Sequence, residues 1–317
     1  LDLKCQTDLT AARGLIAQAD VVIHNFRPGV MERLGLGYQA AKEIKDDIIY
    51  GSITGHGDSG EWADLPGQDL LAQARSGLMW LSGNADQGPV PVGLPIADIS
   101  AGANLAQGLL AALFRHARTG LGTHVETSLL EALIDMQFEF LTTYLNNGQI
   151  PPERLSTGSA HGYLPAPYGV YETADGHLAL AMSSLNQLGE LLNLPDLKAY
   201  HHDPAASFHD KEHIRNHLQS SLLHRSAIAW ETELTAQGIW CAKVLDWSEM
   251  LQTKTLLALQ MTSPPPSGTA VHTIASPIRM DGARPPTANR APALNEQGNA
   301  ILQEYGLAKS TNNSASF

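Results

Sequence analysis

The sequence predicts an α/β protein in two units, a larger one built on strand–helix–strand successions and a smaller mixed one following it between two breaker clusters. Three observations carry this. Apolar, β-branched runs at 19–26 and 47–54 flank a helical stretch, which is the βαβ pattern. A second helix–strand–helix succession follows between Ile99 and Gly148. Two clusters rich in Pro, Gly and Ser, Ile150–Pro167 and Ser263–Pro277, then bracket a region of different composition.

In chain order, LDLK reads as a short strand-like piece leading into a helix, so the chain opens like the middle of an α/β domain. ADVVIHNF is bounded by charge and by Pro28, as a buried parallel strand requires. A helix is expected over about Pro28–Lys45, and DIIYGSIT supplies the next strand. ISAGANLAQGLLAALFRHAR places small and apolar residues at helical spacing and stops at Thr119-Gly120. THVETSL alternates as a strand and passes into a long amphipathic helix ending near Asn147-Gly148. Beyond the first breaker cluster, YGVYETADGHLALAMS fits a hairpin turning at Asp175-Gly176. Mixed helical segments run to about Leu259, and ALNEQGNAILQEYGL forms a last helix. There is no internal repeat.

Composition narrows the function. Acids outnumber bases 32 to 20 in 317 residues, giving a net charge of −12, and no basic run offers a surface for nucleic acid. Apolar residues make up 43%, which excludes wholesale disorder. No apolar stretch is expected to span a bilayer and no signal segment opens the sequence, so the reading is soluble, cytoplasmic and without a membrane partner. Cys5 and Cys241 make neither a disulfide framework nor a thiolate metal site, in keeping with a reducing compartment.

Several motif matches fail on context. Gly55, Gly57 and Gly60 form G-x-G-x-x-G after a strand, but EWADLPG with Pro66 cannot continue as the required helix. GDSG at 57–60 lacks a placed His and Asp. The thirteen histidines, His201-His202 included, show no ligand spacing, so no metal is expected.

Five blocks remain: NFRPGVMERLG (25–35), ADLPGQDLLAQARSGLM (63–79), PVGLPIADISAG (91–102), RTGLGTHVETSLLEAL (118–133) and RAPALNEQ (290–297). Their order and spacing resemble the family III (CaiB/BaiF-type) CoA-transferases, a group that also holds carnitine and formate CoA-transferases and α-methylacyl-CoA racemases. The resemblance implies a Rossmann-like large domain that begins with residues 1–160, an inserted small α+β domain at 161–274 with flanking linkers, and a return to the large domain at 275–317. It also implies two chains threaded through each other as an interlocked homodimer. Family members carry a further N-terminal βαβ region contributing to the CoA site; this sequence does not contain it, so the chain alone is expected to bind CoA weakly.

Chemically, the resemblance implies transfer of CoA between an acyl-CoA and a free small carboxylic acid, with CoA as substrate and no resident cofactor. The nucleophile would be Asp98, carrying an aspartyl-CoA thioester, its oxyanion stabilised by backbone N–H groups at the start of the following helix. Taken alone, Asp98 reads as an ordinary helix N-cap. Asn25, Phe26 and Arg33, with Arg27 beside them, fall where the family contacts the adenosine and phosphate end of CoA; an Arg fork suits phosphate and an aromatic ring can cover adenine. Gly77, Gly93 and Gly102 are expected to serve tight packing and close ligand approach, a bare turn being the equal alternative for each. Racemases need a base on each face of the substrate, yet the position thirty before Asp98 is Gln68 and the small-domain Glu would fall at Ser183 or Ser184. These three are candidate pocket residues, and they favour transfer over racemisation. A non-catalytic partner subunit of a heteromeric transferase is the remaining alternative.

Overall fold

A computed structural model describes residues 1–201, 205–263, 272–285 and 291–307. The core of the second breaker cluster (264–271), His202 and Arg290 lie outside the described residues. The first unit is a three-stranded parallel sheet of β1 (Val21–His24), β2 (Ile49–Thr54) and β3 (Thr123–Ser128) in that spatial order. Val21 pairs with Ile49, and Ile49 with Thr123. Central β2 is buried over its first four residues, and its run of Ile, Tyr, Gly and Ser suits a strand covered on both faces.

Around this sheet the helices follow in chain order: α1 (Gln6–Ile16), α2 (Val30–Arg33), α3 (Tyr38–Ile44), α4 (Asp69–Ser76), α5 (Ile96–Thr119), α6 (Leu129–Met136) and α7 (Phe138–Asn146). On one side Ile16, Met31, Leu36, Ala41, Ile48 and Tyr50 form a core; on the other, Ala72, Ala97, Ala101, Leu129, Ala132 and Leu133 do. Each large side chain so buried contributes roughly 1.5–3 kcal/mol. The alanines are small because α5 lies close on the sheet. At Gly108 an added Cβ would come within 2.5 Å of Val125 Cγ1, so only glycine permits that approach.

Four expectations are corrected here. Residues 1–4 form a turn rather than a strand, because Asp2 accepts from Lys4 N (3.0 Å) and Cys5 N (2.9 Å) through its side chain and carbonyl. The helix expected over 28–45 is two, since Gly35 adopts φ 65° and ends α2. The long helix after β3 is divided at Gln137, whose buried amide donates to Leu133 O (2.9 Å) and Ser76 O (3.1 Å). Finally, α5 with its 24 residues is long and apolar enough to cross a membrane, because the helix begins at Ile96 and carries only Asp98, Arg115 and Arg118 as charges. In the structure it packs on β2, β3, α4 and α6, while Ile99, Leu110 and Phe114 stay exposed on its far side.

The second unit is an antiparallel sheet of β4 (Gly169–Glu172), β5 (His177–Leu180) and β6 (Cys241–Lys243). The hairpin turns at Asp175-Gly176, where Thr173 N donates to Gly176 O (2.9 Å). Helices α8 (Leu185–Leu191), α9 (Ala206–His209), α10 (Lys211–Leu222) and α11 (Ala227–Ala236) accompany it, and Tyr171, Leu178, Leu188, Ile214, Leu218, Leu222 and Leu234 close its core. β6 has three residues, too few for periodicity to reveal. Then come α12 (Trp247–Leu251), capped by an Asp246–Glu249 box, α13 (Lys254–Leu259), and the short pair β7 (Thr262–Ser263) and β8 (Thr273–Ile274). The final helix α14 (Gly298–Glu304) returns to the first unit: Gln18 Nε2 donates to Tyr305 O at 3.2 Å, and Leu307 covers Gly14 of α1.

Candidate active site

The carboxyl ends of the parallel strands converge on a cavity of about 250 Å³, the position where open α/β sheets hold ligands. Its lining is drawn from every neighbouring element: Asn25 after β1, Ile53, Thr54 and Gly55 at the end of β2, Gly67 before α4, Asp98 in the first turn of α5, and Leu129 opening α6. Gly55 and Gly67 let two backbones pass in contact. A Cβ on Gly67 would stand 2.3 Å from Gly55 Cα, and one on Gly55 would stand 2.4 Å from Gly67 Cα.

The N-terminus of α5 explains the state of Asp98. Its N-cap position holds Pro95, which has no side-chain acceptor. The cap comes instead from α4: Asp69 Oδ2 accepts from Ala97 N (2.7 Å) and Asp98 N (3.2 Å). Asp69 Oδ1 accepts from Gln73 Nε2 at 2.6 Å. Gln73 is itself buried and ties down the approach to α5, accepting from Val92 N (2.9 Å) and donating to Leu94 O (3.3 Å). Asp98 is therefore not the cap. Among the described residues no donor holds its carboxylate, which is exposed at the cavity; partial desolvation and then the Asp69 charge push its pKa above the ordinary carboxylate value. The backbone N–H groups expected to face a reacting oxyanion are, at Ala97 and Asp98, already taken by Asp69.

Asn25 thus shares the cavity with Asp98. Phe26 next to it is 44% exposed, its ring 6.1 Å from that of His24 and stacked on it. Arg27 is exposed on the turn that follows and Arg33 at the end of α2, and neither is ion-paired among the described residues. The turn closes at Gly29 (φ 75°), with Arg33 Nη1 folded to 2.9 Å from where a Cβ would be. Gln68 occupies the N-cap position of α4 without a side-chain cap bond and is exposed, one residue from the cavity wall. The serines sit in the second unit: Ser184 Oγ caps α8 by accepting from Gln187 N (3.3 Å), and Ser183 Oγ is buried without a partner among the described residues. Neither lines the Asp98 cavity.

Asp69, Gln73, Gly55 and Gly67 are functional candidates that reading the sequence passes over. The i,i+4 pair Asp69 and Gln73 on one face of a short helix is a usable signal. Gly93 and Gly102 do not serve close packing, since a Cβ at either meets nothing within 4 Å.

Larger cavities lie elsewhere. One of about 570 Å³ is walled by Trp80, Phe140 and Tyr144, and its Arg154 is already bonded to the carbonyls of Ser82, Gln87 and Gly88. Another, of about 390 Å³, abuts Cys241, whose thiol is pushed up to about 11 by burial and by Glu231 and is no nucleophile at neutral pH. Beneath the candidate site, Ser52 Oγ and His124 Nε2 lie 3.0 Å apart, and burial lowers the pKa of His24 and of His124.

Comparison with known proteins converges on one family. The model of CoA-transferase family III matches residues 1–298. The chain is 31% identical over 324 residues to the succinyl-CoA:mesaconate CoA-transferase of Haloarcula hispanica, covering 98% of this chain and 80% of that protein. To the acetyl-CoA:oxalate CoA-transferase of Acetobacter aceti it is 29% identical over 315 residues, covering 96% and 78%. Among solved structures, a CAIB/BAIF family protein from Brucella suis superposes with a TM-score of 0.80 at 29% identity, over 96% of this chain and 80% of that one.

Proposed function

This chain belongs to CoA-transferase family III and is an acyl-CoA:carboxylate CoA-transferase, and we propose that it works by carrying CoA on the Asp98 carboxylate. A carboxylate oxygen of Asp98 attacks the thioester carbonyl of the donor; the C–S bond breaks, CoA leaves as its thiolate, and a mixed anhydride forms. The thiolate then attacks Cγ of Asp98, expelling the donor acid as its carboxylate and leaving an aspartyl-CoA thioester. An acceptor carboxylate attacks that Cγ, releases CoA thiolate again, and the thiolate takes the new acyl carbon from the second anhydride. Every step exchanges one nucleophile for one leaving group, so no net proton or electron is needed.

The observation that carries this reading is the Asp98 carboxylate, without a hydrogen-bond partner among the described residues, beside a cavity at the strand ends. A carboxylate spent on capping would have one of its oxygens held by backbone N–H groups. Asn25, Phe26, Arg27 and Arg33 are the residues proposed to receive CoA: Asn25 lines the cavity, Phe26 and Arg27 are exposed just after it, and Arg33 is exposed at the end of α2. Substrates are CoA thioesters and small carboxylic acids; relatives named for mesaconate and oxalate support dicarboxylates first. Gln68, exposed one residue from the cavity wall, cannot abstract a proton, which favours transfer over racemisation.

The division into 1–160, 161–274 and 275–317 is supported by the two separate sheets and by α14 returning to α1. An intertwined homodimer is supported by exposed Ile99, Leu110 and Phe114 of α5 and Phe138 and Leu145 of α7, which need a cover. Both cysteines are free thiols, in keeping with a cytoplasmic setting. Incubating the protein with acyl-CoAs and isotopically labelled free acids, and following CoA exchange by mass, tests the activity. Exchange onto a dicarboxylate supports the reading; inversion at the α-carbon without exchange would turn it to a racemase, and neither would leave a partner-subunit role.

A further inference from the structure

We propose that Asp69 is a positioning residue for the transfer, its carboxylate clamping the first turn of α5 so that Asp98 meets the cavity with its own oxygens free. The inference rests on the reading of Asp98 as nucleophile. A helix N-terminus must have its N–H groups satisfied, and the usual solution is a Ser, Thr, Asp or Asn at the cap. Here the cap is Pro95, and the nearest acid of α5 is the proposed nucleophile itself. If Asp98 bonded those N–H groups, one of its oxygens would be held and its basicity lowered. Asp69, from a different helix, takes Ala97 N and Asp98 N on one oxygen and Gln73 Nε2 on the other.

The arrangement has two consequences for reactivity. The backbone of Asp98 is fixed through three elements at once, α4, the 92–95 approach and α5, which sets where the carboxylate stands. A fixed negative charge also faces Asp98 from α4, while the residues facing it from β1, β2 and α6, Asn25, Ile53, Thr54 and Leu129, are uncharged. That charge opposes any loss of basicity at the attacking oxygen. Asn at 69 would keep one acceptor, lose the charge, and turn an amide donor toward Gln73 Nε2.

The test loads the enzyme with acyl-CoA in the absence of acceptor, in a single turnover, as a function of pH, for wild type, Asp69→Asn, Asp69→Glu and Asp98→Asn. Asp69→Asn should hold the KM for acyl-CoA within about twofold while loading slows roughly 10- to 100-fold, the scale of a misplacement near 1 Å. The acid limb of its profile should move to lower pH, and Asp69→Glu, which retains the charge, should restore the limb. A lower unfolding midpoint with an unmoved limb and an unchanged loading rate would show a merely structural cap and overturn the proposal. Should Asp69→Asn not fold, Asp69→Glu decides: its longer side chain displaces the clamp while keeping the charge, so loading should slow with the limb in place, and loading at the wild-type rate overturns the proposal. Asp98→Asn separates the two ideas: full loading by that variant sinks the nucleophile reading, whereas its inactivity beside an unaffected Asp69→Asn sinks only the role of Asp69.

Discussion

Gly67→Ala is the substitution through which packing at the site can be felt most sharply. A Cβ there would stand 2.3 Å from the Cα of Gly55, a backbone atom that cannot rotate away. Ordinary contact needs at least 3.4 Å, so one of the two backbones must move by about 1 Å. Overpacking of this kind costs typically about 1–3 kcal/mol. Because both glycines line the cavity that holds Asp98, the same displacement should lower the transfer rate by roughly 100-fold. Gly102→Ala is the internal comparison: it sits in α5, meets nothing within 4 Å, and should stabilise by about 0.5–1 kcal/mol through helix propensity. Urea unfolding of the three proteins, with CoA exchange measured in parallel, reads both effects. Equal unfolding midpoints for Gly67→Ala and wild type, with full activity, would refute the argument that the backbones touch and that the contact shapes the site.

Arg33→Ala should weaken CoA binding by roughly tenfold, as expected for a lost charge-assisted contact, and an unchanged dissociation constant by calorimetry would remove Arg33 from the site. In sedimentation the protein should run as a dimer at micromolar concentration, and a monomer there would contradict the intertwined assembly. Cys5, its thiol lowered by the backbone N–H of Asp8, should alkylate before Cys241, whose pKa is pushed up to about 11; iodoacetamide labelling read by peptide mass would show the reverse order if burial of Cys241 were wrong.

Much of this molecule is legible in the sequence where local signals and tertiary packing agree. ADVVIHNF and DIIYGSIT become β1 and β2 because β-branched runs favour strands, but only central β2 is covered on both faces; β1 lies at the sheet edge and leaves Ile23 63% exposed, which corrects the expectation of a buried strand there. Asp175-Gly176 turns the β4–β5 hairpin as its chemistry demands. Reading fails where partners are distant in the chain. Gln137 looks like one more residue of a helical run, yet its amide reaches Ser76, sixty-one positions away, and the helix divides there. Asp98 shows the same limit at the site. Its position before an apolar helix makes capping the natural expectation, and only the fold reveals that Asp69 does that work and leaves Asp98 unbonded. Ser184 falls in a pocket by spacing alone, whereas its hydroxyl caps α8.

The central claim is that CoA rides on one atom group, the Asp98 carboxyl. Protein incubated with acyl-CoA and no acceptor, then treated with hydroxylamine and digested, reports that directly by peptide mass. A hydroxamate is expected on the peptide at Asp98, with loss of transfer in step with its formation, and neither label nor transfer in Asp98→Asn despite retained CoA binding. An Asp98→Asn protein that still exchanges CoA at the wild-type rate, or a hydroxamate found at another carboxylate, would contradict it.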